Sequence, residues 1–225
     1  MGRSGAHGRA ALGGLSLSTV SVNAWMQAAF AVITAEADHL TRLDSAIGDG
    51  DHGLNLKRGF QAVVAKLATD SDGLPPGRRL ILAGKTLVST VGGASGPLWG
   101  TALRRAGRSV GDAETLDGPA LADALDAALA GVVELGSAEV GDKTMVDALT
   151  PATHALRAAV EAGKPLADAL SAAAEAAAEG ARSTVPMQAR KGRASYLGER
   201  SIGHEDPGAA STVLLIAALG RALED

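Results

Sequence analysis

Three carboxylates crowd into one short stretch: Asp44, Asp49 and Asp51 fall within eight positions, interleaved with Gly48, Gly50 and Gly53. The glycines let the backbone turn sharply enough to bring the acids together. Like charges near 4 Å apart repel by about 1 kcal/mol per pair in water, and by several times more when partly buried. The cluster therefore calls for a cation. Magnesium suits it, because that hard ion takes carboxylate oxygens and shares its other positions between water and phosphate. Two other motif readings fail. Gly48, Gly50 and Gly53 match GxGxxG in form, but no strand pattern precedes them and the interleaved acids would repel a bare pyrophosphate. A calcium EF-hand starting at Asp49 would need an oxygen ligand at Gly53 and a glutamate at Phe60. A solvated turn between helices is the bland alternative. His52 and Asn55 follow at the start of the next helix. For His52, a capping role or a phosphate contact fits better than ligation, since magnesium seldom takes imidazole.

Three further loops could hold a phosphorylated ligand. Gly92-Gly93-Ala94-Ser95-Gly96-Pro97 leads into a helix, whose free N–H groups and dipole would favour an anion, although such turns are also ordinary helix starts. Gly84-Lys85-Thr86 looks like the end of a P-loop, but Arg79 stands where the earlier glycine is needed, so Lys85 reads as a helix-interior residue. Gly141-Asp142-Lys143-Thr144-Met145, with Gly136 before it, is a polar turn that either covers a ligand or merely connects. Residues 187–196 hold Arg190, Lys191 and Arg193, and a basic loop beside an acidic metal loop makes a sensible phosphate clamp.

The elements that must carry these loops are helices. Aromatic residues are only 2% of the chain and alanine is abundant, so the core has to be Leu, Val, Ile and Ala with backbones close together. Period-2 strand patterns are nearly absent. Trp25, Ala29, Val32, Ile33, Leu40 and Leu43 recur at helical spacing and predict a helix over 20–44, with Ser18 or Thr19 as its cap. Others are predicted over 54–68 and 78–91, and from starts at Pro97, Pro119, Pro151 and Pro165. A last helix starts at Pro207 with Asp206 as its cap. The expectation is about eight helices forming a single domain over 19–225, behind a flexible tail over 1–18.

A formal charge of −4 over 225 residues argues against nucleic-acid or anionic-membrane partners. The most apolar charge-free stretch, residues 207–220, is shorter than the about 20 residues a membrane span needs. The absence of cysteine fits a reducing compartment, and a cytoplasmic location is expected.

The strings LTRLDSAIGDGDHGLNLKRGF, GGASGP, GDKTMVDAL and KGRASYLGERSIGHEDPGAAST closely resemble, in the same order, the L subunits of dihydroxyacetone kinases. The likeness runs from about Trp25 to the end, and Glu205 stands where glutamine is expected. It implies an all-α, eight-helix antiparallel barrel with the nucleotide bound in loops at one end. It also implies two Mg2+ ions on Asp44, Asp49 and Asp51, with Arg193 joining them in catalysis. Nucleotide contacts are implied at His52, Asn55, Ala94, Ser95, Gly136, Met145, Arg193, Asp206 and Gly208. By the same resemblance the triose sits on a separate K subunit, for which these residues leave no room. Bound ADP would accept a phosphoryl group from a phosphohistidine on an M-type partner and pass it on. Open alternatives are a kinase subunit using exchangeable ATP, a nucleotide-dependent regulator of a transcription factor, and a homodimeric form.

Overall fold

In the computed structural model, the described residues are 18–224, and they contain eight α-helices. The helices are α1 (Val22–Ile47), α2 (His52–Asp70), α3 (Pro76–Thr90), α4 (Ser95–Val110), α5 (Gly118–Gly136), α6 (Met145–Glu161), α7 (Leu166–Ser183) and α8 (Pro207–Ala217). Each packs on the one before it, and α8 closes the ring against α1. A 3-10 segment, Arg193–Ser201, lies between α7 and α8, and another, Ala218–Ala222, extends α8. The eight-helix, all-α expectation agrees with this architecture. Strands contribute only β1 (Thr19–Val20) and β2 (Leu223–Glu224), whose antiparallel pairing sets Thr19 opposite Glu224 and ties the two ends of the described chain together. The expected tail, apart from Ser18, lies outside the described residues. No described helix is long and apolar enough to cross a membrane.

The starts of α2, α3 and α4 fall two residues before the sequence-based expectation, and the cap of α1 and the start of α6 differ for identifiable reasons. Ser21, rather than Ser18 or Thr19, caps α1, its hydroxyl accepting from the amide of Ala24, because Thr19 is taken up by β1. The sixth helix starts at Met145, with Pro151 inside it. Thr144 and Asp147 form a reciprocal capping box there, which satisfies first-turn amides and fixes the start nearly two turns before the proline.

An aromatic-poor core requires close backbones, and α3 and α4 meet through interleaved glycines. A Cβ added at Gly84 would lie 2.6 Å from the Gly100 carbonyl oxygen, and one at Gly100 would lie 2.7 Å from that of Gly84. Gly107 and Gly77 face each other in the same way further along. Gly100→Ala is therefore expected to destabilise the fold by about 1–3 kcal/mol through overpacking. Urea unfolding measures this, and a change within a few tenths of a kcal/mol would mean that the helices can separate freely. On the other side of the ring, α8 is apolar almost all round and packs on α1, α6 and α7. The Trp25 indole donates to its Leu215 carbonyl at 3.0 Å.

This up-and-down arrangement gathers the α1–α2, α3–α4, α5–α6 and α7–α8 connections around one cavity, while the α2–α3 and α4–α5 connections border a different one. All four loops singled out by sequence thus share one end of the barrel.

Candidate functional site

The site is built outward from the last turn of α1. Asp44 is buried there, and its Oδ2 accepts from the backbone amides of Asp51 at 2.9 Å and His52 at 3.1 Å. A residue of one helix thus caps the start of the next, where negative charge is favoured by the dipole. The loop between needs its glycines: a Cβ at Gly48 would collide with Asp44 Oδ1, and Gly50 has φ +74°. Folded this way, Asp44, Asp49 and Asp51 each offer an oxygen within 4.8 Å of the others. With Oδ2 of Asp44 committed to amides, its Oδ1 and the two more exposed aspartates form an oxygen-only donor set. That chemistry fits a hard divalent cation.

His52, the first residue of α2, turns its ring into the barrel. Nδ1 lies 3.1 Å from Ser95 Oγ and Nε2 lies 3.0 Å from Ser211 Oγ, so one imidazole bridges α4 and α8. Burial lowers its pKa, opposed by the nearby Asp44 and Asp51 carboxylates. Both ring nitrogens are thereby occupied in fixing helix ends.

The remaining walls differ in character. Gly92, Gly93, Ala94 and Ser95 line one side, and no side chain caps α4, whose first-turn amides stand at the cavity wall. Leu98, Trp99, Val132, Ala138, Met145 and Val146 add an apolar lining, together with Gly136. The α7–α8 connection adds Lys191, Gly192, Arg193 and Ala194, followed by Asp206 and Gly208. Arg193 Nε reaches Asp49 Oδ2 at 3.0 Å, bringing the basic loop onto the acidic one. Asp206 caps α8 by accepting from the Ala209 amide at 2.7 Å; burial pushes its carboxyl up to about 7, against the pull of that amide and of Lys143. The cavity holds about 280 Å³ and is lined by the acidic loop, apolar side chains, and Lys191 and Arg193.

Of the residues singled out in the sequence, Asp44, Asp49, Asp51, His52, Ala94, Ser95, Gly136, Met145, Arg193, Asp206 and Gly208 all line this cavity. Asn55 does not. Its Oδ1 accepts from Arg58 at 2.8 Å, and its amide group lies close to Gly92, which does line the cavity.

The DAK2 domain family model matches residues 46–221. The chain is also 44% identical over 211 residues to the ADP-binding subunit DhaL of the PEP-dependent dihydroxyacetone kinase of Escherichia coli (strain K12), covering 94% of this chain and 100% of that one. The chain belongs to the DAK2 family. It is 42% identical over 186 residues to the L-erythrulose 1-kinase of Mycolicibacterium smegmatis, covering 82% of this chain but 32% of that protein. Among solved structures, the dihydroxyacetone kinase of C. freundii in complex with AMP-PNP and Mg2+ aligns with a TM-score of 0.68 at 25% identity, over 98% of this chain and 37% of that one. The resemblance to dihydroxyacetone kinase L subunits is borne out.

In this DAK2 chain, sequence reasoning missed the apolar wall and Lys143. Leu98, Trp99 and Val132 repeat at ordinary core spacing, which carries no mark of a ligand wall. Lys143 sat in a noted polar turn, but nothing in its neighbours foretells that the amine turns inward to become 1% exposed.

Proposed function

We propose that residues 19–225 act as one nucleotide-binding unit of a dihydroxyacetone kinase, holding ADP and two Mg2+ ions and relaying a phosphoryl group. The donor is a phosphohistidine on an M-type partner, and the acceptor is dihydroxyacetone on a separate K subunit. One observation carries this reading: an oxygen-only carboxylate cluster, uncapped helix amides, an apolar wall and an arginine all converge on a single cavity.

When bound, the nucleotide supplies the phosphate acceptor and donor, and magnesium neutralises charge on its phosphates. The chain's own groups orient and screen. Asp44, Asp49 and Asp51 hold the metal. The α4 amides at Ala94 and Ser95 favour phosphate oxygens. Met145, Trp99 and Val132 shelter the base, with Gly136 leaving room beside them. Arg193 stands where negative charge develops during transfer, so positioning and electrostatics do most of the catalytic work. His52 and Asp206 fix the helix ends that frame the cavity, and Gly208 keeps the start of α8 open, since a Cβ there would lie 2.9 Å from Asp206 Oδ2. The names of its close relatives support ADP as the nucleotide and the triose as the phosphate's destination.

Native mass spectrometry after desalting tests the proposal. The expected species is the chain with one ADP and two magnesium ions. A chain that emerges bare, but exchanges readily with added ATP, would instead indicate an ATP-dependent kinase subunit.

A further inference from the structure

The α7–α8 connection leaves the barrel at Thr184, the C-cap of α7, and returns at Asp206, the N-cap of α8, carrying Lys191 and Arg193 to the cavity in between. Both of its stems converge on one side chain from elsewhere in the chain. Lys143, 1% exposed, donates from Nζ to the Thr184 carbonyl at 2.5 Å and to the His204 carbonyl. It comes from the turn ahead of α6 and holds φ +61°, a left-handed conformation that residues with a long side chain seldom adopt. A buried ammonium is costly unless its hydrogen bonds and nearby charges compensate, and here Asp206, Asp147 and Glu205 supply the opposite charge. The other bonds at the neck are neutral: the Asp206 amide to Thr184 Oγ1 at 3.0 Å, and the Gly203 amide to the Val185 carbonyl at 2.8 Å. A lysine strained in backbone and stripped of water, yet committed to the two stems of one connection, has a specific task.

We propose that Lys143 is a positioning residue that clasps both stems of the 184–206 connection, holds Arg193 against Asp49 and so governs how long the nucleotide stays bound. The inference rests on reading the cavity as a nucleotide site. Two of the amine's three donors go to these carbonyls, so Lys143, although it also borders the cavity, acts mainly through the connection that carries Arg193.

Lys143→Met keeps most of the length and the backbone strain of the side chain and removes its donors. Trypsin cleavage after Arg190, Lys191 and Arg193 is expected to accelerate roughly tenfold to a hundredfold, the factor that loss of a charge-assisted hydrogen bond allows. ADP release, followed by displacement with excess unlabelled nucleotide, should accelerate to a similar extent. Cleavage within the helices should stay at the wild-type rate, which separates a clasp from general destabilisation. Lys143→Gln, one bond shorter and uncharged, should move both readouts in the same direction and serves if the methionine variant does not fold. Unchanged cleavage and release in a folded variant would overturn the proposal, as would acceleration spread evenly over the whole chain. If the wild-type protein binds no ADP, the nucleotide reading fails, and the cleavage pattern alone still decides whether Lys143 clasps the connection.

Discussion

Asp49→Asn is expected to lower phosphoryl transfer by roughly three orders of magnitude and to let the nucleotide wash away on desalting, with helicity unchanged. The substitution keeps size and shape and removes one negative charge from the cluster. Metal charge at a phosphoryl centre is worth several kcal/mol of transition-state stabilisation, and each 1.36 kcal/mol is tenfold in rate. The fold should barely respond, because Asp49 lies in the loop with 39% of its side chain exposed and caps no helix. Asp44→Asn is a poorer probe. Its Oδ2 accepts two amides at the start of α2, so that change also weakens a helix cap by about 1 kcal/mol. Reconstitution with K-type and M-type partners measures transfer, and magnesium titration of the ADP complex measures metal affinity. Wild-type nucleotide retention in Asp49→Asn would remove Asp49 from the metal site.

The same contrast between Asp49 and Asp44 explains how much could be read from the sequence. Acids interleaved with glycine are rare enough in a helical chain to mark a loop by composition alone, and proximity in sequence guaranteed proximity in space. The helix count was legible for a similar reason, since apolar spacing and proline punctuation are local signals. Where a local rule had a local competitor it misled: Pro151 pointed to a helix start, but the Thr144–Asp147 capping box had already begun α6. Long-range features had no sequence signal at all. The His52 ring meets Ser211 across 159 positions, and the Lys143 amine meets the His204 carbonyl across 61. Asn55 illustrates the converse. Its spacing of three from His52 puts both on one face of α2, yet its Oδ1 is taken by Arg58 and it is not among the residues lining the cavity, a choice of partner that spacing does not foretell.

Arg193→Ala is expected to lower kcat by roughly a hundredfold to a thousandfold while magnesium affinity stays level or rises slightly. Arginines that meet developing charge at a transferring phosphoryl group contribute about 10³–10⁵ in rate, and the lower expectation reflects Lys191 beside it in the same loop. The ion pair with Asp49 adds little to the fold, because 68% of the arginine side chain is exposed and water screens the pair. Its effect on metal binding runs the other way. The guanidinium pairs with Asp49 Oδ2, so removing it leaves both oxygens of that carboxylate open to a cation. A residue that merely held the loop together would, when lost, weaken metal binding, nucleotide binding and turnover together. Arg193 should separate them: steady-state kinetics with both partners reads the fall in kcat, and calorimetric magnesium titration of the ADP-loaded protein reads the affinity. Arg193→Lys should recover only part of the rate, since an ammonium keeps the charge but loses the planar fork that grips two phosphate oxygens. Parallel loss of turnover and metal affinity in Arg193→Ala would make the basic loop a structural element and shift the catalytic charge to Lys191.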